Sequence, residues 1–224
     1  MKSEVLELIA FLISVSAFAY GALRLFKPGK PFYFQLLVCA CGCYVLEELW
    51  SIINIVCGIP GGGLITVRLV GIFGCLCFML SANAGQFDNF LDADFPRDER
   101  FRAPALLVPA VLVIMYVPYG MELISAGQYG SLVITALVLL PAIPASYFNL
   151  KHLMLPMDEA GLLRATRAVD VLSLLFYFLN FLFVFPFLRE VSVIFDSASI
   201  LCALLMAGLV YVSERGTAKW EALT

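Results

Sequence analysis

Long stretches of this chain carry no charge. Charge-free windows run over residues 8–23, 31–46, 69–87, 103–121, 123–150, 171–188 and 197–213. An α-helix crosses the hydrocarbon core of a bilayer with about 20 mostly apolar residues. Each window reaches that length once a few flanking residues are added. The pattern predicts seven spans, over 5–26, 32–57, 64–86, 103–120, 128–150, 166–187 and 192–213. A transmembrane β-barrel needs segments of about ten residues that alternate apolar and polar. Runs such as LVITALVLL and LLFYFLNFLFVF do not alternate.

Composition agrees. The 224 residues are 62% hydrophobic and 14% charged, against roughly 45–50% and about 25% for soluble domains. A soluble fold of this size cannot hide so much apolar surface. A net charge of −3 leaves no basic footprint for DNA or RNA, so no nucleic-acid partner is expected. The expected class is an all-α integral membrane protein of the cell membrane, a single transmembrane domain over residues 1–224 in contact with the lipid bilayer. Glu4 and Glu7 precede the first apolar run, where a cleavable signal peptide would carry basic residues.

Lysine and arginine set orientation, because cytoplasmic loops retain them. Arg24, Lys27, Lys30, Arg97, Arg100, Arg102, Lys151, Arg164, Arg167, Arg215 and Lys219 fall on one side of a seven-span plan. Only Lys2, Arg68 and Arg189 fall on the other. The expected topology is N-terminus outside and C-terminus cytoplasmic. Span 5 is its weak point, because Pro141 and Pro144 each remove a helix hydrogen bond.

Ionisable groups inside a bilayer are costly and mark candidate sites. Span 2 carries Glu47 and Glu48 near its middle. Cys43, Glu47, Trp50, Ser51 and Asn54 share one helical face by spacing, which directs Glu47 to the bundle interior and Glu48 to a helix–helix seam. Two adjacent carboxylates in a low dielectric do not both ionise easily. Arg68 opens span 3 after the turn CGIPGGG, within reach of Glu48 or free to extend to the surface. Asp170, Ser173, Tyr177 and Asn180 form a polar stripe on span 6. Such a stripe can wall a cavity or supply interhelical hydrogen bonds. Asp196 opens span 7. Gly71, Gly74 and Cys75 give span 3 a small-residue side suited to close helix approach, and span 4, apolar almost throughout, is expected to face lipid. The loop FDNFLDADFPRDERFR before span 4 suits an interfacial segment or a docking surface better than a calcium loop.

Several chemistries lack their residues. His152 is the one histidine, placed by spacing in a cytoplasmic loop beside Lys151 and read there as a helix-end residue, so no bis-histidine haem site exists within one chain. The seven cysteines at 39, 41, 43, 57, 75, 77 and 202 include no CxxC and read as small packing residues. No P-loop, Rossmann or GxSxG motif is present. No metal, cofactor or catalytic residue is therefore expected. The seven-helix plan and the run FDSASILCALL look like those of the microbial rhodopsins, but Ile200 stands where that family carries its retinal lysine. The Glu47–Glu48 pair looks like the first motif of the CAAX-type glutamic intramembrane proteases, which also need histidines in later helices, and spans 3–7 as bounded above hold none.

The residues left are Glu47, Glu48, Trp50, Asn54, Arg68, Asp170, Asn180 and Asp196. They suit ligand or proton binding in a polar cavity among spans 2, 3, 6 and 7. The leading expectation is a small sensor or partner subunit, binding a small-molecule ligand and signalling through a separate cytoplasmic or membrane protein partner. The alternative is a proton-coupled small-molecule transporter using the span 2 carboxylates.

Overall fold

The computed structural model of the protein describes residues 2–58, 67–88, 103–154, 161–184 and 192–221. Among these residues the chain is helical, with seven α-helices. They are α1 (Lys2–Leu25), α2 (Phe32–Cys57), α3 (Val67–Leu80), α4 (Leu107–Ser125), α5 (Tyr129–Met154), α6 (Gly161–Val184) and α7 (Ser192–Glu221). A π-helical segment, Ser81–Asp88, continues α3. By length and apolarity, α1, α2, α5, α7 and the helix over Ala103–Ser125 can each cross a membrane.

The helix ends follow local chemistry. Gly58 closes α2 in the left-handed conformation, φ 60°, and donates its N–H to Asn54 O. This is the glycine-terminated helix end that residues with a Cβ adopt at a cost. Gly127, φ 67°, does the same between α4 and α5, where Gln128 N–H reaches back to Leu123 O at 2.8 Å. Pro141 and Pro144 do not divide α5, which runs unbroken from Tyr129 to Met154. The helix also extends past the expected span end, so Lys151 and His152 lie in its last turn rather than in a loop. Cations there face the negative end of the helix dipole, which favours them. Similarly, α6 starts at Gly161 and takes in Arg164 and Arg167.

Six helices close a ring in the order α1, α2, α3, α5, α6, α7, and α2 also touches α7 across it. The centre is filled from α2 (Phe34, Val38, Cys41, Tyr44), α3 (Cys75, Leu76, Met79), α6 (Phe176, Tyr177) and α7 (Cys202, Met206, Leu209). Tyr44 and Phe176 meet edge to face at 5.6 Å. The fourth helix stands outside the ring against α5 and exposes Leu107, Val111, Ile114, Val117, Met121 and Ile124. An exposed apolar face of this kind is costly in water and not in hydrocarbon.

The closest approach in the ring is between α2 and α3. A Cβ on Gly71 would lie 2.8 Å from Cys43 O and 2.9 Å from Glu47 N. Both are backbone atoms that cannot rotate away. The small-residue side of span 3 therefore lets two backbones touch, as its spacing predicts. The loop over 89–102, including its aspartates, and the IPGGG part of the turn from 59 onward lie outside the described residues.

Gly71→Ala should therefore cost about 1–3 kcal/mol, the usual penalty of overpacking, and lower the thermal midpoint in detergent. Gly208→Ala, whose new Cβ would meet only Leu172 Cδ1 at 3.4 Å, should leave that midpoint nearly unchanged.

Candidate functional site

The polar stripe of α6 points inward. Asp170 is 1% exposed, Ser173 0% and Tyr177 2%. Three other elements bring polar side chains to the Asp170 end of that stripe. Asn149 and His152 come from α5, Asn83 from the π-helical segment and Tyr33 from α2, and all four are buried.

A short hydrogen-bond chain ties these elements together. Tyr33 OH donates to Asn83 Oδ1 at 3.2 Å. The Asn83 amide donates to Asn149 Oδ1 at 2.7 Å and to Met79 O at 3.1 Å. Asn149 Nδ2 in turn donates to the backbone carbonyl of Asp170 at 3.4 Å. Four elements (α2, the π-helical segment, α5 and α6) are thereby joined. π-helical turns are often found at functional sites, and this one carries the central residue of the chain.

The acidic side chain itself is different. His152 Nδ1 lies 3.6 Å from Asp170 Oδ1, with both side chains essentially inaccessible. Neither Asp170 oxygen has a hydrogen-bond partner among the described residues, and neither does Ser173 Oγ or Tyr177 OH. Tyr33 and Tyr177 both lie near enough to Asp170 to interact with it electrostatically. Buried polar groups are ordinarily hydrogen-bonded because an unmet group costs about 1–3 kcal/mol. Asp170 thus has unused acceptor capacity at a buried point, next to a group that can carry a proton.

A second acidic site sits toward the other end of α2. Glu48 is 4% exposed and accepts from Tyr44 OH at 2.7 Å and from Ser199 Oγ of α7 at 3.2 Å. Glu47 is 8% exposed, with its Cβ packed against Gly71 of α3. Both carboxylates are inside, Glu47 toward α3 and Glu48 toward α7. Ser51 donates to Glu7 of α1 at 3.0 Å. Trp50 and Asn54 are half-buried nearby, and Asn54 Oδ1 has no partner among the described residues. Asn180 bonds Phe176 O at 2.9 Å and Cys202 Sγ at 3.8 Å; Cys202 in turn neighbours Glu47 and Glu48. The side chains of Arg68 and Asp196 lie outside the described residues.

The expected single cavity is therefore two sites. Tyr33 and Glu48 are fifteen residues apart on α2, about 22 Å at 1.5 Å per residue. Asn180 goes with the glutamates and not with Asp170. Sequence reasoning missed His152, Asn149, Asn83 and Tyr33. A signal existed on α5: Ser146, Asn149 and His152 step by three and share a buried face. Placing His152 in a loop hid it. His152 does put a histidine in a later helix, but beside Asp170 and well away from Glu47 and Glu48, so the protease likeness gains nothing.

All seven cysteines are free thiols. Among the described residues no three His, Cys, Asp or Glu side chains converge as metal ligands would. No protein-family model, curated protein or solved structure matches the chain.

Removing one partner of a buried ion pair costs about 3–5 kcal/mol, whereas replacing both with apolar groups is often neutral. His152→Leu alone should lower the thermal midpoint sharply. The double variant His152→Leu/Asp170→Leu should recover most of the loss, a non-additivity read directly from a double-mutant cycle.

Proposed function

We propose that this chain is a multi-pass protein of the cell membrane with seven transmembrane helices, its N-terminus outside and its C-terminus in the cytoplasm. It works as a sensor or partner subunit. A small polar ligand occupies the buried cluster of Asp170, His152, Ser173 and Tyr177, and a separate protein reads the resulting bundle state at the cytoplasmic face. The observation that carries this reading is the fully buried Asp170 carboxylate, which has one ionisable neighbour at 3.6 Å and no hydrogen-bond partner among the described residues. The cluster lies at the end of α5 that carries Lys151 and His152. A ligand can shift the bundle only through different affinities for its two states. The hydrogen-bond chain through Asn83 and Asn149 offers the means, because four elements meet there.

A proton-coupled transporter is the second reading. The observation favouring it is the separation of two buried acidic sites along the same ring of helices, Glu47–Glu48 on one level and Asp170 on another. Protonatable groups buried at two depths are what a proton-linked cycle requires.

The two readings separate in one set of measurements. For the sensor, small amines, amino acids and monovalent cations are screened by thermal shift in detergent. A binder at 100 times its Kd should stabilise wild type by about 2.7 kcal/mol and Asp170→Asn by much less. Absence of any such shift, together with no partner recovered by crosslinking in membranes, would sink the sensor reading. For the transporter, a pH gradient should drive solute uptake into proteoliposomes, and Glu47→Gln/Glu48→Gln should abolish it. Uptake unchanged in that double variant would refute a role for the span 2 carboxylates.

A further inference from the structure

The outer face of the bundle carries a groove between α1 and α7 that the acidic sites do not use. These two helices run parallel, since Gly21 meets Val210 and, about one turn further along both, Arg24 meets Glu214. Small residues line the groove, Ser16 and Ala17 of α1 and Ala207 of α7, together with Leu12 and Val210. From Ile9 to Tyr20 it follows α1 for about 16 Å, close to the roughly 15 Å depth of one leaflet's hydrocarbon.

One end of this apolar slot is basic and aromatic. Tyr20 and Tyr211 close it. Arg24 Cζ stands 5.8 Å from the centre of the Tyr20 ring, and Arg215 Cζ stands 4.7 Å from that of Tyr211. Glu214 accepts from Tyr20 and pairs with Arg24 Nε at 3.5 Å. Arg24 remains 57% exposed, and Arg215 and Lys27 are also exposed. This end of the groove therefore presents exposed cations, Arg24 paired with Glu214 and Arg215 over Tyr211. Tyrosine rings at headgroup level and cations just beyond them are the arrangement that meets an anionic lipid head.

We propose that the α1–α7 groove binds one anionic phospholipid, an acyl chain lying along Ser16, Ala17 and Ala207 and the phosphate held by Arg24 and Arg215. The inference rests on the helices being membrane spans and not on any role for Asp170. Its occupant is a bilayer lipid rather than a free phosphate, because the groove contributes chain contacts along a full leaflet depth.

Native mass spectrometry of the full chain in detergent, with equimolar phosphatidylglycerol and phosphatidylcholine, tests it. Each interfacial arginine is worth about five-fold for an anionic lipid. Wild type should retain one phosphatidylglycerol at a ten-fold or greater preference, estimated roughly from two such cations. Arg24→Gln/Arg215→Gln should bring the ratio near one, and Arg24→Lys/Arg215→Lys should restore most of it. Ala207→Phe should remove retention of both lipids by filling the groove. Water-soluble glycerophosphoglycerol, which has the head and no chains, should fail to displace the lipid even if Ala207→Phe does not fold. Asp170→Asn should keep the adduct, so failure of the sensor reading leaves this one standing. Equal retention of both lipids by wild type, an unchanged preference in Arg24→Gln/Arg215→Gln, or displacement by glycerophosphoglycerol would overturn the proposal.

Discussion

Five helices here are long and apolar enough to cross a membrane, and hydrocarbon offers no hydrogen bonds. A backbone that crosses such a medium must satisfy its own N–H and C=O groups, which an α-helix does within one segment. The described chain is accordingly helical. Apolar side chains gain nothing by hiding from lipid, so large ones remain on the outside, as on α4. Helices then associate through backbone proximity and interhelical hydrogen bonds. The contact of Gly71 with α2 is the first kind, and the Tyr33–Asn83–Asn149 chain is the second.

The polar residues divide by whether their demands are met. Glu48 has two donors from neighbouring side chains, one on its own helix and one on α7. Such a group serves packing well whatever else it does. Asp170 has a satisfied backbone and an unsatisfied carboxylate. Asn149 donates to its carbonyl and His152 stands beside its side chain, yet the acid itself is left with capacity to spare. Neighbours already in place around an unmet group favour binding, because preorganisation reduces what a ligand must overcome.

The span boundaries were largely legible, since a hydrophobic run and a helix are set by the same length requirement. Over Phe32–Cys57 the expected span and α2 coincide. The misses occurred where a helix outran its apolar stretch. Lys151 and His152 are polar, so the sequence assigned them to a loop, but α5 continues through them and buries both. A charged side chain can be buried when another helix supplies a partner, and a single helix cannot display that partner. The inward stripe Asp170–Ser173–Tyr177 was legible because it needs only the helical period. Its division from Asn180 was not, since ten residues along α6 bring it to different neighbours.

By itself the sequence determined the helical class and which faces of α3 and α6 are specialised. Those follow from hydropathy, spacing and side-chain size, all properties of one segment at a time. Only the tertiary structure decided which polar groups meet: His152 with Asp170, Glu48 with Ser199, and Tyr20 with Glu214 across the groove of α1 and α7. The physical reason is that the ring order of helices and their relative rotation arise from many weak contacts summed over the whole bundle. No single segment carries them, and a buried charge takes its meaning from the helix opposite.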